Sequence, residues 1–131
     1  MMQDETMNMY PEADDYIRHY TRENDVAKYL DLLRKAKESV DIPIIASINC
    51  ISGNEWVSFA KTIQEAGADA LELNIFVLPS NPNMTASDNE QIYFDIIDQV
   101  LKTVSIPVAI KISYYFSSLA NMITKLAWKD I

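Results

Sequence analysis

Three short aliphatic runs, residues 44–49, 70–76 and 107–113, are set apart by stretches whose apolar residues recur every three to four positions. That alternation constrains the fold more than any other feature of the chain. Strands joined by intervening helices run parallel, because each helix returns the chain to the same end of the sheet. The class is α/β, with the expected order α, β, α, β, α, β, α. Only two glycines and five prolines in 131 residues argue further against a sandwich of tight turns, which draws heavily on both.

The helical stretches carry their own punctuation. Pro11 opens a short helix in an acidic, aromatic N-terminal segment ending near Asn24. From Asp25, the apolar Val26, Tyr29, Leu30, Leu33 and Val40 oppose Asp31, Arg34, Lys35, Lys37 and Glu38, the pattern of an amphipathic helix. Ser52 and Glu55 have capping-box spacing before Trp56, Phe59, Ala60 and Ile63, and Gly67 is the expected stop. Ser87 and Glu90 repeat that spacing before Ile92, Ile96, Ile97, Val100, Leu101 and Val104. A last helix carries Leu119, Met122, Ile123 and Leu126. The passages Val40-Asp41-Ile42-Pro43-Ile44 and Val104-Ser105-Ile106-Pro107-Val108 form a weak internal repeat, each leading from a helix end into a strand.

Side chains alternate across a strand, so each run divides into two faces. Ile44, Ala46 and Ile48 oppose Ile45, Ser47 and Asn49. Leu71, Leu73 and Ile75 oppose Glu72 and Asn74. Val108, Ile110 and Ile112 oppose Ala109, Lys111 and Ser113. One face is aliphatic and takes the helices; the other turns polar toward the C-terminal strand ends, where α/β proteins bind ligands. Burying such groups unpartnered costs about 1 to 3 kcal/mol each, so the polar face implies either a ligand cavity or a solvated open sheet. Glu72 and Lys111 can neutralise each other across it as a buried pair.

The formal charge of −8 repels nucleic acid and anionic membranes, so neither is an expected partner. No apolar run approaches the roughly 18 residues of a membrane span. A single cysteine, Cys50, and a start without a basic, apolar leader give a cytoplasmic expectation, with Cys50 read as a small hydrophobe. The lone His19 reads as a surface or packing residue, and no metal site is expected.

Ile44-Ile45-Ala46-Ser47-Ile48-Asn49, the stretch Ala66-Gly67-Ala68-Asp69-Ala70-Leu71-Glu72-Leu73-Asn74-Ile75 and Ile106-Pro107-Val108-Ala109-Ile110-Lys111-Ile112-Ser113 resemble consecutive strands of the dihydroorotate dehydrogenase family. Pro11-Glu12-Ala13-Asp14-Asp15-Tyr16 is similar to a dihydroorotate-dehydrogenase-like subgroup. The resemblance implies a partial TIM (β/α) barrel, a single incomplete domain over 1–131 with an N-terminal segment at 1–24 and an α/β core at 25–131. A closed barrel takes about 250 residues. It also implies FMN as cofactor and oxidation of the small molecule dihydroorotate to orotate in pyrimidine biosynthesis. By the same resemblance Lys111 and Asn74 contact the flavin, Asn74 also the substrate, and Asn49 is a weaker flavin contact.

The chain departs from the family pattern in two places. Where the family runs Asn-x-Ser-Cys-Pro-Asn or Asn-x-Ser-Ser-Pro-Asn, this chain has Asn74-Ile75-Phe76-Val77-Leu78-Pro79. Val77 therefore stands at the position of the catalytic base and cannot accept a proton, leaving Ser80 as a substitute only if the loop is reshaped. The family's glycine-rich flavin-phosphate strands correspond to sequence beyond Ile131, so weak or no FMN binding is expected of this chain by itself. Two unpaired sheet edges offer a route to aggregation or to a homodimer. The alternatives to an oxidoreductase are a non-catalytic flavin- or ligand-binding homologue and a lyase forming a Schiff base on Lys111.

Overall fold

The computed structural model describes residues 11–50 and 53–131, with side chains from Asn24 onward. The chain divides after Leu32 into two compact units. The elements follow the expected alternation: α1 (Pro11–Ser39), β1 (Ile45–Ile48), α2 (Gly53–Glu65), β2 (Ala70–Ile75), α3 (Ala86–Leu101), β3 (Val108–Ile112) and α4 (Leu119–Ala127). All three strands are parallel, in the order β1-β2-β3.

Two local readings change. The short helix at Pro11 and the helix from Asp25 are one uninterrupted α1 of 29 residues; nothing between them is a breaker, since residues 12–38 contain neither glycine nor proline. The N-cap of α3 is Thr85, not Ser87. The Thr85 hydroxyl accepts from the Asp88 amide at 3.2 Å, and an Asp88 carboxylate oxygen accepts from the Thr85 amide at 2.7 Å. Both pairs have the right spacing. Glu90 is engaged elsewhere, with Lys125 at 3.6 Å, while the shorter Asp88 closes the box two residues earlier. Ser52 lies outside the described residues.

In the unit from Leu33 onward the aliphatic strand faces form the core. Leu71 and Leu73 are fully buried, with Ala46, Ile48, Ile75 and Val108 nearly so. Each large side chain so buried contributes about 1.5–3 kcal/mol. Trp56, Ala60 and Ile63 of α2 and Tyr93, Ile97 and Val100 of α3 supply the opposing helical surface, and α2 packs on both β2 and α3. Gly67 ends the α2 turn at φ +96°, a conformation that side-chain-bearing residues rarely adopt.

Side-chain acceptors pin the N-terminal end of the sheet. Asp69 Oδ2 accepts from the Ile44 amide and from Lys37 Nζ, both at 2.6 Å, while the Asp69 amide donates to the Ile44 carbonyl at 2.9 Å. Gln64 Oε1 accepts from the amides of Ser105 (2.6 Å) and Ile106 (3.2 Å). These are the two copies of the sequence repeat. In each, the segment around the proline has backbone N–H groups outside any ladder, and a side chain from a neighbouring element takes them up.

Candidate functional site

The polar strand faces meet at one ladder. Strand register sets Ser47 opposite Glu72, and Asn74 opposite Lys111. Glu72 Oε1 accepts two hydrogen bonds, from Ser47 Oγ at 2.6 Å and from Lys111 Nζ at 2.9 Å, so one carboxylate ties β1, β2 and β3 together. The Ser47 hydroxyl and, after it, the Lys111 ammonium hold the Glu72 carboxyl below its ordinary value. The Glu72–Lys111 contact is present, with Ser47 as a third member, but the pair is exposed and not buried as expected. Strand alternation had already put Ser47 on this face; only the register made it a partner of Glu72.

None of the described polar side chains is buried. The polar face is thus an open surface in this chain, not an enclosed chamber, and the solvated-sheet alternative describes it. Lys111 remains 56% exposed and Glu72 30% exposed at their side chains. Asn74 is half-buried beside Lys111. Asn49 is exposed and directly follows Ile48, whose register partner Leu73 directly precedes Asn74, so the two asparagines leave their strands at one level. All three amide and amine groups emerge at the C-terminal end of a parallel sheet.

The loop after β2 is tied to α3 at its start. The Val77 amide donates to the hydroxyl of buried Tyr93 at 3.1 Å, which anchors the start of the loop to α3. Ser80 is exposed, its amide bonded locally to the Leu78 carbonyl at 2.8 Å, outside the group joined through Glu72. Cys50 is half-buried and in no disulfide. Among the described residues no cluster of three or more His, Cys, Asp and Glu side chains could hold a metal, and no helix is long and apolar enough to cross a membrane. The side chain of His19 lies outside the described residues.

An aromatic group beyond the ends of β2 and β3 had drawn no notice in the sequence. Phe76 packs edge-on against Tyr115, with ring centroids 5.9 Å apart and planes at 74°, and Tyr114 lies 4.7 Å from Tyr115. Behind them Phe116 meets Tyr93 edge-on at 5.2 Å. Tyr114, Tyr115 and Phe116 also line a cavity of about 490 Å³ with Pro79, Met84 and Glu90.

No family model matches the sequence. An Aeropyrum pernix protein provisionally named dihydroorotate dehydrogenase A (fumarate) is 34% identical over 92 residues, a match covering 63% of this chain and 28% of that protein. The crystal structure of dihydrodipicolinate synthase from Oceanobacillus iheyensis superposes with a TM-score of 0.54 at 20% identity, over 78% of this chain and 32% of that one. The chain therefore spans about a third or less of the length of either. Its architecture is that of a partial TIM barrel, and its likeness lies with enzymes built on that barrel.

Proposed function

We propose that this chain forms the central strands of an FMN-dependent oxidoreductase resembling dihydroorotate dehydrogenase, with Lys111 and Asn74 at the flavin, Asn74 also at the substrate, and Asn49 at its margin. The observation that carries the reading is the in-register pair Asn74 and Lys111 at the C-terminal strand ends, where barrel enzymes bind their ligands. The donor set fits the pyrimidine edge of a flavin. Lys111 has three N–H donors and gives one to Glu72, and the Asn74 amide both donates and accepts. When bound, FMN supplies the electron-accepting ring; the chain's own residues hold and orient it. Dihydroorotate, oxidised to orotate, is the proposed small-molecule substrate, and a cytoplasmic setting accompanies that role.

The test is an FMN titration followed by flavin fluorescence. Weak quenching is expected, reduced in Lys111→Ala and in Asn74→Ala, because the phosphate-binding strands of the family have no counterpart in residues 1–131. Quenching that neither substitution touches overturns the reading. Yellow flavin retained stoichiometrically through gel filtration would refute the expectation of weak affinity.

One observation favours a second reading, a ligand-binding homologue without the redox chemistry. The position of the family's base holds the aliphatic Val77, with its amide tied to Tyr93. Orotate formation by a longer chain, compared with its Ser80→Ala variant, separates the two. A Schiff-base lyase fits less well, since Lys111 lies on an open face beside a carboxylate instead of in the dry pocket that activates a lysine. Borohydride with a carbonyl substrate is expected to leave no adduct on Lys111.

A further inference from the structure

The loops after β2 and β3, with the first turns of α3, border the cavity of about 490 Å³. Its walls combine aromatic rings with one carboxylate. Tyr114, Tyr115 and Phe116 line it together with Pro79 and Met84, and among the described residues Glu90 is the charged side chain on its surface. Two of the rings are held by others: Tyr115 meets Phe76 edge-on at 5.9 Å, and Phe116 meets buried Tyr93 at 5.2 Å. The Phe116 amide donates to the Tyr114 carbonyl at 2.8 Å, which braces the loop that carries all three. Lys111, Asn74 and Asn49 do not line this cavity, so it is a second place in the fold.

The state of Glu90 decides what suits these walls. Its side chain is only 16% exposed, and Lys125 Nζ stands 3.6 Å from Oε2, beyond hydrogen-bond length. The ammonium offsets the charge without taking up a lone pair, so another cation can compete for the carboxylate. The N-terminus of α3 opposes a cation through its dipole, but Asp88 sets a negative charge there, its Oδ2 accepting from the Thr85 amide and hydroxyl at 2.7 Å each. An anion would meet the carboxylate and the electron-rich ring faces. A neutral apolar guest would cut Glu90 off from water with nothing in exchange. A cation with a methyl or methylene surface satisfies both kinds of wall: rings and carboxylate attract its charge, and Pro79 and Met84 cover its carbons. The net charge of −8 favours its approach.

We infer that the cavity lined by Tyr114, Tyr115, Phe116 and Glu90 binds a small alkylated ammonium ion, whose charge the ring faces and the Glu90 carboxylate share. Its volume lies in the range of small-molecule sites. The inference is independent of the flavin reading, which uses none of these residues.

The experiment titrates the whole 131-residue chain with choline and with its uncharged isostere 3,3-dimethylbutan-1-ol, read by saturation-transfer NMR on the methyl protons. The two probes share a shape and differ in charge. Choline is expected to bind about tenfold more tightly than the alcohol, the range of a partly desolvated cation against rings. Tyr115→Ala and Glu90→Gln are each expected to weaken choline binding about threefold to tenfold, while Tyr115→Phe, which keeps the ring, leaves it unchanged. Lys125→Met removes the competing cation and should tighten binding, a gain that damage to the fold would not produce. Circular dichroism checks that each variant folds, and the comparison of the two probes on the unaltered chain needs no variant. No choline binding, equal binding of the two probes, or choline binding that neither Tyr115→Ala nor Glu90→Gln weakens overturns the inference, as does weaker binding in Lys125→Met.

Discussion

The N-terminal end of the sheet and its polar face use similar residue types and differ in what their oxygens bind. At the N-terminal end Asp69 and Gln64 spend their oxygens on backbone amides of the segments entering β1 and β3. On the polar face, between the two ends, the Glu72 oxygen accepts from two side chains, Ser47 and Lys111. A carboxylate that satisfies the backbone fixes the chain. One that satisfies exposed side chains fixes a surface and leaves donors over for something else. In barrel folds the N-terminal strand ends carry stability and the C-terminal ends carry chemistry.

The contrast predicts which changes unfold the protein and which leave it folded. The largest effect belongs to the core between the two ends. Leu73→Ala, at a fully buried position, is expected to lower stability by about 2–5 kcal/mol in urea denaturation. Its neighbour Asn74→Ala should barely move the midpoint, while weakening flavin binding. A comparable loss of stability in both would mean that the polar end is structural after all.

Next in size is Tyr93→Phe. It removes the acceptor of the Val77 amide and is expected to cost about 1 kcal/mol, read as a lower denaturation midpoint with an unchanged slope. Thr85→Ala removes the observed α3 cap and should cost about 1 kcal/mol, whereas Ser87→Ala should cost almost nothing. The reverse outcome would restore the cap at Ser87.

The smallest effects come from pH. The Ile44 amide first, and then Lys37, hold Asp69 below its ordinary value; the Thr85 hydroxyl does the same for Asp88, and Ser47 with Lys111 for Glu72. Each carboxyl is depressed by folding. Each therefore adds stability that is complete above the ordinary carboxylate range and is lost as pH falls through the lower folded values. Thermal midpoints should hold steady from neutral pH down to about pH 5 and drop below about pH 4. In Asp69→Asn the drop should be shallower, since one depressed group is gone. An acid limb of equal depth would remove Asp69 from the account.

Much of the molecule was legible from residue order because the features concerned are local. Period-two runs gave three strands, and Leu71, Leu73 and Ile75 sit buried as their alternation requires. Gly67 stops α2 through its own backbone freedom. Where two local solutions were nearly equivalent, spacing could not choose. Thr85 with Asp88 and Ser87 with Glu90 are both capping boxes on paper, and the engagement of Glu90 with Lys125 of α4 accompanies the choice of the first. Apolar periodicity also overstated burial on α4, where Met122 and Leu126 are covered but Leu119 and Ile123 stand open. They border an apolar groove of about 570 Å³ beside β3, an edge strand of the described sheet.

What the sequence determined alone was the alternation of elements, the division of each strand into an aliphatic and a polar face, and the residues on each. Those follow from backbone periodicity, which a linear reading contains in full. What only the tertiary structure decided was register: that Glu72 meets Ser47 and Lys111 together, that Asn74 lies opposite Lys111, and that Phe76 touches Tyr115 across 39 positions of chain. Register depends on how crossover helices pack and return each strand. Because that packing sums many weak contacts between distant residues, no single segment contains the answer.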